Sequence, residues 1–492
     1  MNQPMPRFNP RELADWALGT WKNGMPTIID SFHNDSRALK PGAMFIALRT
    51  ESRDGHDFVE HARAQGATCA MVARHVESCP LPQLVTDDPL VALQRMAARY
   101  RVRFRGPVIG ITGSCGKTST KNLLAEMLRF RGPVLKTEGN FNNYIGVPLT
   151  LMRLDPEHHA TAVIEAGINM PGEMEMLADL IRPTHGIVTN IAPVHLERLR
   201  NMDTVAAEKS LLLRAIPRDG IAVFPETCLA FPPFRSIKAS VRLMGAEGGA
   251  GSPGRKLMER LLPANERPFF GRSLRRVQHR LSRDGDETEL FVRHSGEETE
   301  TVFPLHPVSA GMAENAAFAI LLAGELGASV DDMREALLRW EPGAYRGQVF
   351  STDEGFYYLD CYNSNPVALV DALEAFGNAS PPESPRLYIL GSMEELGAQA
   401  ELFHREALRS LNLRDGDFAF LIGTHADAMA RGLEEGGNAP DRWSVTEDLG
   451  PVRERLTEFR GAVLLKGSRR YELERLWNDL GQEIPLGREI VC

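Results

Sequence analysis

The sequence VIGITGSCGKTSTKNLLAEML occupies residues 108–128 and determines how the rest of the chain is interpreted. An apolar, β-branched run is followed by a glycine-rich turn and then by apolar residues at helical spacing, which predicts a buried strand, a loop and a helix. Gly113 and Gly116 would let backbone N–H groups surround an anion at the positive end of that helix. Lys117 would then reach the β- and γ-phosphates of ATP, and the Thr118 hydroxyl would ligate Mg²⁺. The predicted ATP-binding loop comprises Gly113, Ser114, Cys115, Gly116, Lys117, Thr118 and Ser119.

Size and charge are those of an ordinary soluble globular protein with several domains. The chain has 492 residues, of which 43% are hydrophobic and 25% charged. One domain per roughly 150 residues predicts about three domains. The formal net charge of −9 argues against a nucleic-acid partner. An arginine-rich segment, 272–283, is the exception, and we interpret it as a solvated hairpin or helix face.

The cysteine pattern and the apolar runs exclude several classes of protein. Six cysteines are scattered without a CxxC pair, which argues against a zinc site and a disulfide framework and fits a reducing cytoplasm. The N-terminus lacks an apolar segment of signal-peptide length, and no run of about 18 apolar residues occurs. We therefore expect a cytoplasmic protein that does not insert into a membrane. We also expect a monomer.

Three blocks with different strand and helix patterns predict three α/β domains. Residues 1–105 mix short strands and helices, which predicts a small α/β unit. Residues 106–340 alternate strand-like and helical runs, the pattern of a parallel sheet, and contain a glycine-rich run at 246–254 that we expect to be a flexible loop. Residues 341–492 carry strand-like runs separated by helical segments, which predicts an open, doubly wound, Rossmann-like sheet.

Three polar residues of the middle block would lie beside the phosphate loop. Glu165 ends the strand-like run AVIEAG, His195 follows the run GIVTNI, and Lys209 lies in the next helical segment. Mg²⁺ prefers hard oxygen ligands, so Glu165 is a candidate ligand, directly or through water. Taken alone, a strand-end carboxylate is also a common structural hydrogen-bonding group, and a single histidine is also common as a packed polar residue.

A series of ordered motifs resembles the Mur ligase family of ATP-dependent enzymes that form peptide bonds. The motifs are DSRALKPGAMFIAL (35–48), TGSCGKTS (112–119), TEGNFNNYIGVPLTL (137–151), AVIEAGINMPGEM (162–174), TNIAPVHLERL (189–199), YLDCYNSNP (358–366), LGSMEELG (390–397) and LLKGSRRYELE (464–474). The resemblance covers almost the whole chain and implies one domain each for a uridine nucleotide, ATP and an amine. It implies a ligase that joins D-alanyl-D-alanine to UDP-N-acetylmuramoyl-tripeptide in peptidoglycan precursor synthesis.

The resemblance also implies roles for individual residues around the nucleotide. Lys117 and Thr118 correspond to the ATP-phosphate and magnesium residues, and Glu165 and His195 to further magnesium-site residues. Lys209 corresponds to a carbamylated lysine, in which CO₂ converts a cation into an oxygen ligand for a second Mg²⁺. A plain cationic phosphate contact or a surface lysine is the alternative for Lys209. The other residues implied to contact ATP are Asn315, Arg346, Asp360 and Asn363.

The remaining substrate contacts are implied in the same way. The residues implied to bind the UDP-linked substrate are Asp35, Ser36, Arg37, Thr137, Asn142 and Asn143. The residues implied to bind the amine are Tyr362, Asn365, Ser392, His404, Lys466, Ser468 and Arg469. Four positions depart from the family pattern. Gly311 and Met312 replace a His-Asn pair on the adenine side, Leu211 replaces a Glu near the carbamate lysine, and Ser392 replaces an Asp.

The implied chemistry follows from what amide formation requires. A carboxylate is a poor electrophile, so ATP would first convert it to an acyl phosphate, which the amine then attacks. A related Mur-type ligase with another peptide or amine substrate is the main alternative. The others are a P-loop kinase or hydrolase, a nucleotide-binding regulatory protein derived from such a ligase, and a glycine-rich turn with a surface lysine.

Overall fold

The described residues form three sheets flanked by helices, one in each of the three blocks. The computed structural model describes residues 6–37, 39–246, 253, 256–257, 275–284, 287–294, 299–306, 308–353 and 355–481. We call the parts that hold the sheets the first, middle and third domains. The predicted three-part α/β fold is confirmed, while the boundaries at 105 and 340 stay predictions.

The first domain is a small five-stranded sheet with three helices. Its elements are α1 (Pro10–Ala17), β1 (Thr20–Lys22), β2 (Ser31–His33), β3 (Ala43–Ile46), α2 (Val59–Ala64), β4 (Cys69–Val72), β5 (Gln83–Val85) and α3 (Pro89–Arg101). The strands lie in the order β1-β5-β4-β3-β2, and neighbours are parallel except β1 and β5. Asn9 and Asp88 cap the first and last of the helices, each followed by a proline at the first helical position.

The middle domain contains the phosphate loop and a nine-stranded sheet. Its elements are β6 (Val108–Thr112), α4 (Lys117–Met127), β7 (Val134–Lys136), α5 (Gly146–Leu151), β8 (Thr161–Glu165), α6 (Glu173–Ile181), β9 (His185–Val188), α7 (Leu196–Leu199), α8 (Met202–Arg214), β10 (Ile221–Pro225), β11 (Ser240–Ala246), β12 (Arg275–Asp284), β13 (Glu287–His294), β14 (Thr301–Leu305), α9 (Ala310–Glu325) and α10 (Val330–Arg339). The order is β14-β13-β12-β11-β10-β9-β6-β8-β7, and the strands from β7 to β12 are parallel. The carboxyl end of β6 therefore lies between the ends of β8 and β9, which is where an open α/β sheet binds ligands.

The third domain is a six-stranded sheet with helices on its connections. Its elements are β15 (Gln348–Thr352), β16 (Gly355–Asp360), α11 (Pro366–Ala379), β17 (Arg386–Gly391), α12 (Ala400–Leu408), β18 (Phe418–Ile422), α13 (Ala426–Glu435), β19 (Trp443–Thr446), α14 (Gly450–Glu458), β20 (Gly461–Lys466) and α15 (Glu474–Asp479). The order is β15-β16-β20-β17-β18-β19, and only β15 runs antiparallel to its neighbour among these strands. This is the doubly wound sheet that the sequence predicts.

Two segments of unusual composition have different outcomes. The arginine-rich segment enters β12 at residue 275 and pairs with β13 in a hairpin, where Arg276 and Arg280 bond to Glu226 and Glu300. Residues 272–274 and most of the glycine-rich run 246–254 lie outside the described residues. In the part of the chain that is described, none of the helices combines the length and the apolar character needed to cross a bilayer.

Candidate active site

The phosphate loop requires glycine at two positions. Gly113 follows β6, and a Cβ added there would lie 1.9 Å from Thr189 Oγ1. Gly116 forms the N-cap of α4 with φ of +81°, and an added Cβ would lie 2.2 Å from Asn315 Oδ1. Both contacts leave room only for hydrogen, so the loop can stay close to β9 and α9 while its N–H groups point to an anion.

Side chains at the end of β9 hold this loop, and the sequence analysis did not identify them. Asn190 Oδ1 accepts the N–H groups of Ser114 at 3.1 Å and Cys115 at 3.0 Å. Thr189 Oγ1 donates to the Cys115 carbonyl oxygen. The sequence feature that could have identified them is the TN pair that directly follows the GIV strand, because the ends of strands next to β6 must meet the loop.

Glu165 lies at the end of β8 and faces the first turn of α4. Its Oε1 accepts Asn142 Nδ2 at 2.8 Å and Thr118 Oγ1 at 3.3 Å, while Lys121 Nζ lies 3.7 Å from Oε2. Burial alone would raise the pKa of Glu165, but the charges of Lys121 and Lys117 and the Asn142 hydrogen bond outweigh it and lower that pKa. Glu165 is therefore a carboxylate at neutral pH. Lys121 is a third residue that the sequence analysis missed, after Thr189 and Asn190.

The residues around Glu165 fit a magnesium ion. The buried Oε2 atom accepts no hydrogen bond from any described residue, and Thr118 supplies a hydroxyl oxygen next to the same carboxylate. Mg²⁺ prefers a few protein oxygens and completes its shell with water and substrate phosphates. Among the described residues, no group of three or more His, Cys, Asp or Glu side chains is arranged to hold a metal ion.

Two lysine amines share one backbone carbonyl beneath the loop. Lys117 Nζ and Lys209 Nζ donate to the Gly113 carbonyl oxygen at 2.8 Å and 3.1 Å. Lys209 is 1% exposed on α8, and burial, followed by the charge of Lys117, lowers its pKa well below the ordinary value. Burial also lowers the pKa of Lys117. A buried amine that does not hold its proton is a nucleophile.

His195 precedes α7 and contacts the third domain. Its Nδ1 bonds to a carboxylate oxygen of Glu395, which follows β17. The hydrogen bond from His195 lowers the pKa of Glu395. The structure thus places His195 at the junction of two domains, with its ring at the edge of the cavity described next.

A cavity of about 570 Å³ extends from the phosphate loop to the third domain. On the third-domain side, Lys466 Nζ lies 2.8 Å from Asp360 Oδ2 and donates to the Asn363 carbonyl oxygen at 2.8 Å. The Arg346 guanidinium stacks 3.8 Å above the Tyr362 ring. The predicted site residues that line the cavity are Ser114, Cys115, Gly116, Lys117, Thr118, Ser119, Asn142, Asn143, Glu165, His195, Asn315, Arg346, Asp360, Tyr362, Asn363, Asn365 and Lys466.

Three predicted residues lie directly behind this lining. Gly113 and Lys209 are joined by the hydrogen bond described above. The Thr137 carbonyl oxygen accepts Lys121 Nζ at 2.6 Å, and its hydroxyl oxygen accepts the Glu165 N–H at 2.9 Å. These residues support the groups that face the cavity.

The adenine-side departure from the family pattern has a structural counterpart. The Gly311 N–H, at the start of α9, donates to Asp371 Oδ1 of α11 at 2.9 Å. A Cβ on Gly311 would lie 2.6 Å from Asp371 Oδ2, so glycine admits this carboxylate. Burial raises the pKa of Asp371 to about 6. Met312 also lines the cavity.

Four residues predicted to bind the amine do not line the cavity. His404 is fully buried, and its Nε2 accepts the Met393 N–H at 2.7 Å. Ser392 Oγ accepts the His425 N–H at 3.0 Å, and Ser468 Oγ accepts the Glu394 N–H at 3.0 Å. The fourth, Arg469, pairs with Glu474. These polar atoms are used inside the third domain, so in this structure they shape its loops.

Three of the six residues predicted to bind the UDP-linked substrate, Asp35, Ser36 and Arg37, lie apart from the cavity, in the first domain. Arg37 pairs with Asp35 on the surface, and the Ser36 hydroxyl lies 2.9 Å from His61 Nδ1. The Arg37 side chain is 76% exposed, so it is available to an anionic ligand. Their role as substrate contacts stays a prediction.

Comparisons with known proteins agree over most of the chain. Models of the Mur ligase family catalytic domain, the Mur ligase middle domain and the Mur ligase glutamate ligase domain match residues 29–101, 111–255 and 345–469. The UDP-N-acetylmuramoyl-tripeptide–D-alanyl-D-alanine ligase of Escherichia coli is 30% identical and that of Synechocystis 31% identical. The first covers 94% of this chain and 96% of its own length, and the second 88% of each.

Solved structures show the same arrangement. A crystal structure of MurF from Acinetobacter baumannii superposes with a TM-score of 0.81 at 25% identity, over 98% of this chain and all of the other. MurF from Thermotoga maritima in complex with ADP shares the fold, with a TM-score of 0.72 at 24% identity over 91% of this chain and 96% of its own. Since relatives at 30% identity or more extend over nearly its full length, this chain belongs to the Mur ligase family.

Proposed function

We propose that this chain is an ATP-dependent ligase that joins D-alanyl-D-alanine to UDP-N-acetylmuramoyl-tripeptide in peptidoglycan precursor synthesis. The observation that carries the proposal is one cavity in which the phosphate loop, the Glu165 carboxylate and polar side chains of the third domain meet. The names of the full-length relatives support the choice of substrates. A kinase or hydrolase would not require a third domain that closes one side of the phosphate site.

The chain's own groups suit the activation of a carboxylate by ATP. The N–H groups of the phosphate loop and the Lys117 amine would bind the phosphates and offset the charge that builds up on the transferred phosphoryl group. Asn142 and Asn143 line the same wall and would orient the peptide carboxylate towards that group. The acyl phosphate then meets the amine, which would enter from the third-domain side.

We propose that Thr118 and Glu165 hold Mg²⁺. When bound, the ion supplies positive charge that binds the phosphates and polarises the transferred group. Lys121 keeps Glu165 ionised while the ion is absent, because it provides the nearest positive charge. The carboxylate is thereby ready to bind without losing a proton first.

We also propose that Lys209 carries a carbamate. Burial lowers the pKa of Lys209 and so favours the neutral amine, the form that adds to CO₂, and the product would place two oxygens under the phosphate loop. Lys117 shares the Gly113 carbonyl with it and would pair with the new negative charge. Leu211, in place of the usual Glu, is partly buried and packs against the core.

The amine site is assigned to residues that line the cavity. Tyr362, Asn365 and Lys466 do so, and Arg346 over Tyr362 adds a cation for the carboxylate of a dipeptide. Ser392, His404 and Ser468 act on this site only through the loop that they hold. The UDP moiety is assigned to Asp35, Ser36 and Arg37, and the reaction to the cytoplasm, where unpaired cysteines such as the five described here persist.

Substrate omission tests the reaction class. Phosphate release from ATP should require both UDP-N-acetylmuramoyl-tripeptide and D-alanyl-D-alanine, because the phosphoryl acceptor is the peptide carboxylate. Lys117→Ala, which removes charge stabilisation of the transferred group, should abolish turnover at every ATP concentration. Full-rate release without the UDP-linked peptide would indicate a hydrolase instead.

Crossing substrates tests the amine. D-alanyl-D-alanine should give the highest kcat/KM when it competes with D-alanyl-D-lactate, D-alanyl-D-serine and single amino acids at equal concentration. A higher kcat/KM for a single amino acid would support the alternative of a Mur-type ligase with another amine.

A further inference from the structure

A loop of the third domain, residues 392–397, reaches the middle domain and contacts His195. The Glu395 carboxylate bonds to His195 Nδ1, and the Glu395 carbonyl oxygen accepts the Glu197 N–H at 3.4 Å. Gly397 lies against the same helix, since an added Cβ would be 3.4 Å from Glu197 N. The side chain and the backbone of the loop therefore both dock on α7.

Both residues of the pair adopt a left-handed backbone conformation. The φ angle is +53° at His195 and +62° at Glu395. Residues with a Cβ disfavour this region, and those that adopt it are held there by their surroundings and cluster at functional sites. Because both residues of the contact have a strained backbone, we interpret the contact as a functional feature of the fold.

The third domain fixes the shape of the loop from inside. The buried imidazole of His404 accepts the Met393 N–H, and the Ser468 hydroxyl accepts the Glu394 N–H. His404 Nδ1 lies 2.6 Å from the Ala400 carbonyl oxygen, so Nδ1 carries the proton and Nε2 is the acceptor. Glu394 itself bonds to Tyr471 within the third domain. The next residue, Glu395, reaches His195.

We propose that Glu395 is a positioning residue, which fixes the tautomer and the orientation of His195 when the third domain docks on the middle domain. A carboxylate only accepts hydrogen bonds, so it holds the imidazole proton on Nδ1 and leaves Nε2 as an acceptor. Nε2 has no hydrogen-bond partner among the described residues, and His195 lines the cavity that holds Lys117 and Glu165. Docking of the loop thus prepares a ring nitrogen at the phosphate site.

The inference rests on the proposed function, because it gives Glu395 a place in that reaction. It also revises the role of Ser392, His404 and Ser468. These side chains build the loop that carries Glu395, so their effect on catalysis passes through His195.

Kinetics of three variants test the inference. Glu395→Ala should lower kcat by about 10- to 100-fold, the usual effect of losing a partner that orients such a histidine, and change KM for ATP by less than about 3-fold. Glu395→Gln keeps an acceptor oxygen and should recover most of kcat. Glu394→Gln is the matched control and should behave as the wild type. A kcat of Glu395→Ala within about 2-fold of the wild type, or a Gln variant as poor as the Ala variant, would overturn the inference.

A spectroscopic measurement separates this inference from the proposed function. In ¹⁵N-histidine-labelled protein with saturating ADP, the His195 signals are assigned by their loss in His195→Gln. The wild type should show a protonated Nδ1 and an unprotonated Nε2, and Glu395→Ala should shift the proton to Nε2. An unchanged tautomer in Glu395→Ala would overturn the inference even if the wild type ligates. Failure of the wild type to ligate would overturn only the proposed function.

Discussion

The Lys121–Glu165 pair gives the sharpest test of how the proposed magnesium site is prepared. Both side chains are almost fully buried, with Lys121 Nζ 3.7 Å from Glu165 Oε2. At an effective dielectric constant of about 20, two unit charges at this separation attract by about 4 to 5 kcal/mol. Removal of one partner from a buried pair costs about 3 to 5 kcal/mol, because the other charge stays buried without it. We therefore expect Lys121→Met to destabilise the middle domain by about that amount.

A double-mutant cycle measures the pair itself. Lys121→Met and Glu165→Gln should each destabilise, while the double variant buries no unpaired charge and should lose less than the sum by about 3 kcal/mol. Native-state hydrogen exchange of the β8 amides, without Mg²⁺ or nucleotide, reports the middle domain separately from the other two. Additive losses, to within about 0.5 kcal/mol, would refute the idea that Lys121 keeps Glu165 ionised.

The pH dependence of Lys121→Met has a definite sign. In the wild type the pKa of Glu165 is lowered, so its stabilising contribution is present above the unfolded-state pKa and is lost as the pH falls through the folded-state pKa. Without Lys121, the largest opposition to the effect of burial is lost, so the pKa of Glu165 rises relative to the wild type. The deficit of Lys121→Met should then shrink between pH 7.5 and 5.5, because the carboxyl group can take up a proton. A constant deficit would contradict this explanation.

Three further predictions use other residues of the site. Gly116→Ala should weaken ADP binding in calorimetry and lower the Tm more than the control variant Gly172→Ala does. Both glycines cap a helix at similar φ, but of the two only Gly116 faces a side chain, that of Asn315. Equal effects of the two variants would exclude the clash with Asn315 as the cause. The pKa of Asp371 is raised to about 6, so ionisation of this carboxyl group lowers the free energy of unfolding as the pH rises from about 4 to 6. Asp371→Asn should therefore gain stability relative to the wild type over that range. In urea unfolding at pH 7.5 the gain should be about 1 to 3 kcal/mol. Lys209→Ala should lose most ligase activity and regain part of it with short carboxylic acids, which replace the carbamate oxygens; full activity without them would contradict the carbamate.

The sequence predicted the phosphate loop well because the loop is local. Strand, glycines, lysine and helix follow one another in the chain, and Gly116 is required by contacts within a single turn and one neighbouring helix. The pairing of Glu165 with the loop was also predictable, because parallel strands bring their carboxyl ends to one edge. Lys121 was missed because its pairing with Glu165 depends on how deeply the lysine is buried. On a solvated face the same lysine would be an ordinary surface charge.

In the third domain, sequence motifs alone do not identify which side chains face the cavity. Ser392 and Ser468 lie at the carboxyl ends of β17 and β20, where polar residues are expected to face a ligand, and His404 lies on α12. A loop that turns sharply after a buried strand has N–H groups of its own to satisfy, and in this chain His404 and Ser468 accept two of them. Ser392 Oγ instead accepts the His425 N–H of the loop that follows β18. Which side chain is used by the loop and which faces the cavity depends on backbone angles, such as the φ of +62° at Glu395, that the order of residues does not specify. In such a motif, the candidate functional residue is the one whose side chain is left over once the other side chains have bonded to the backbone N–H groups. In this loop that residue is Glu395.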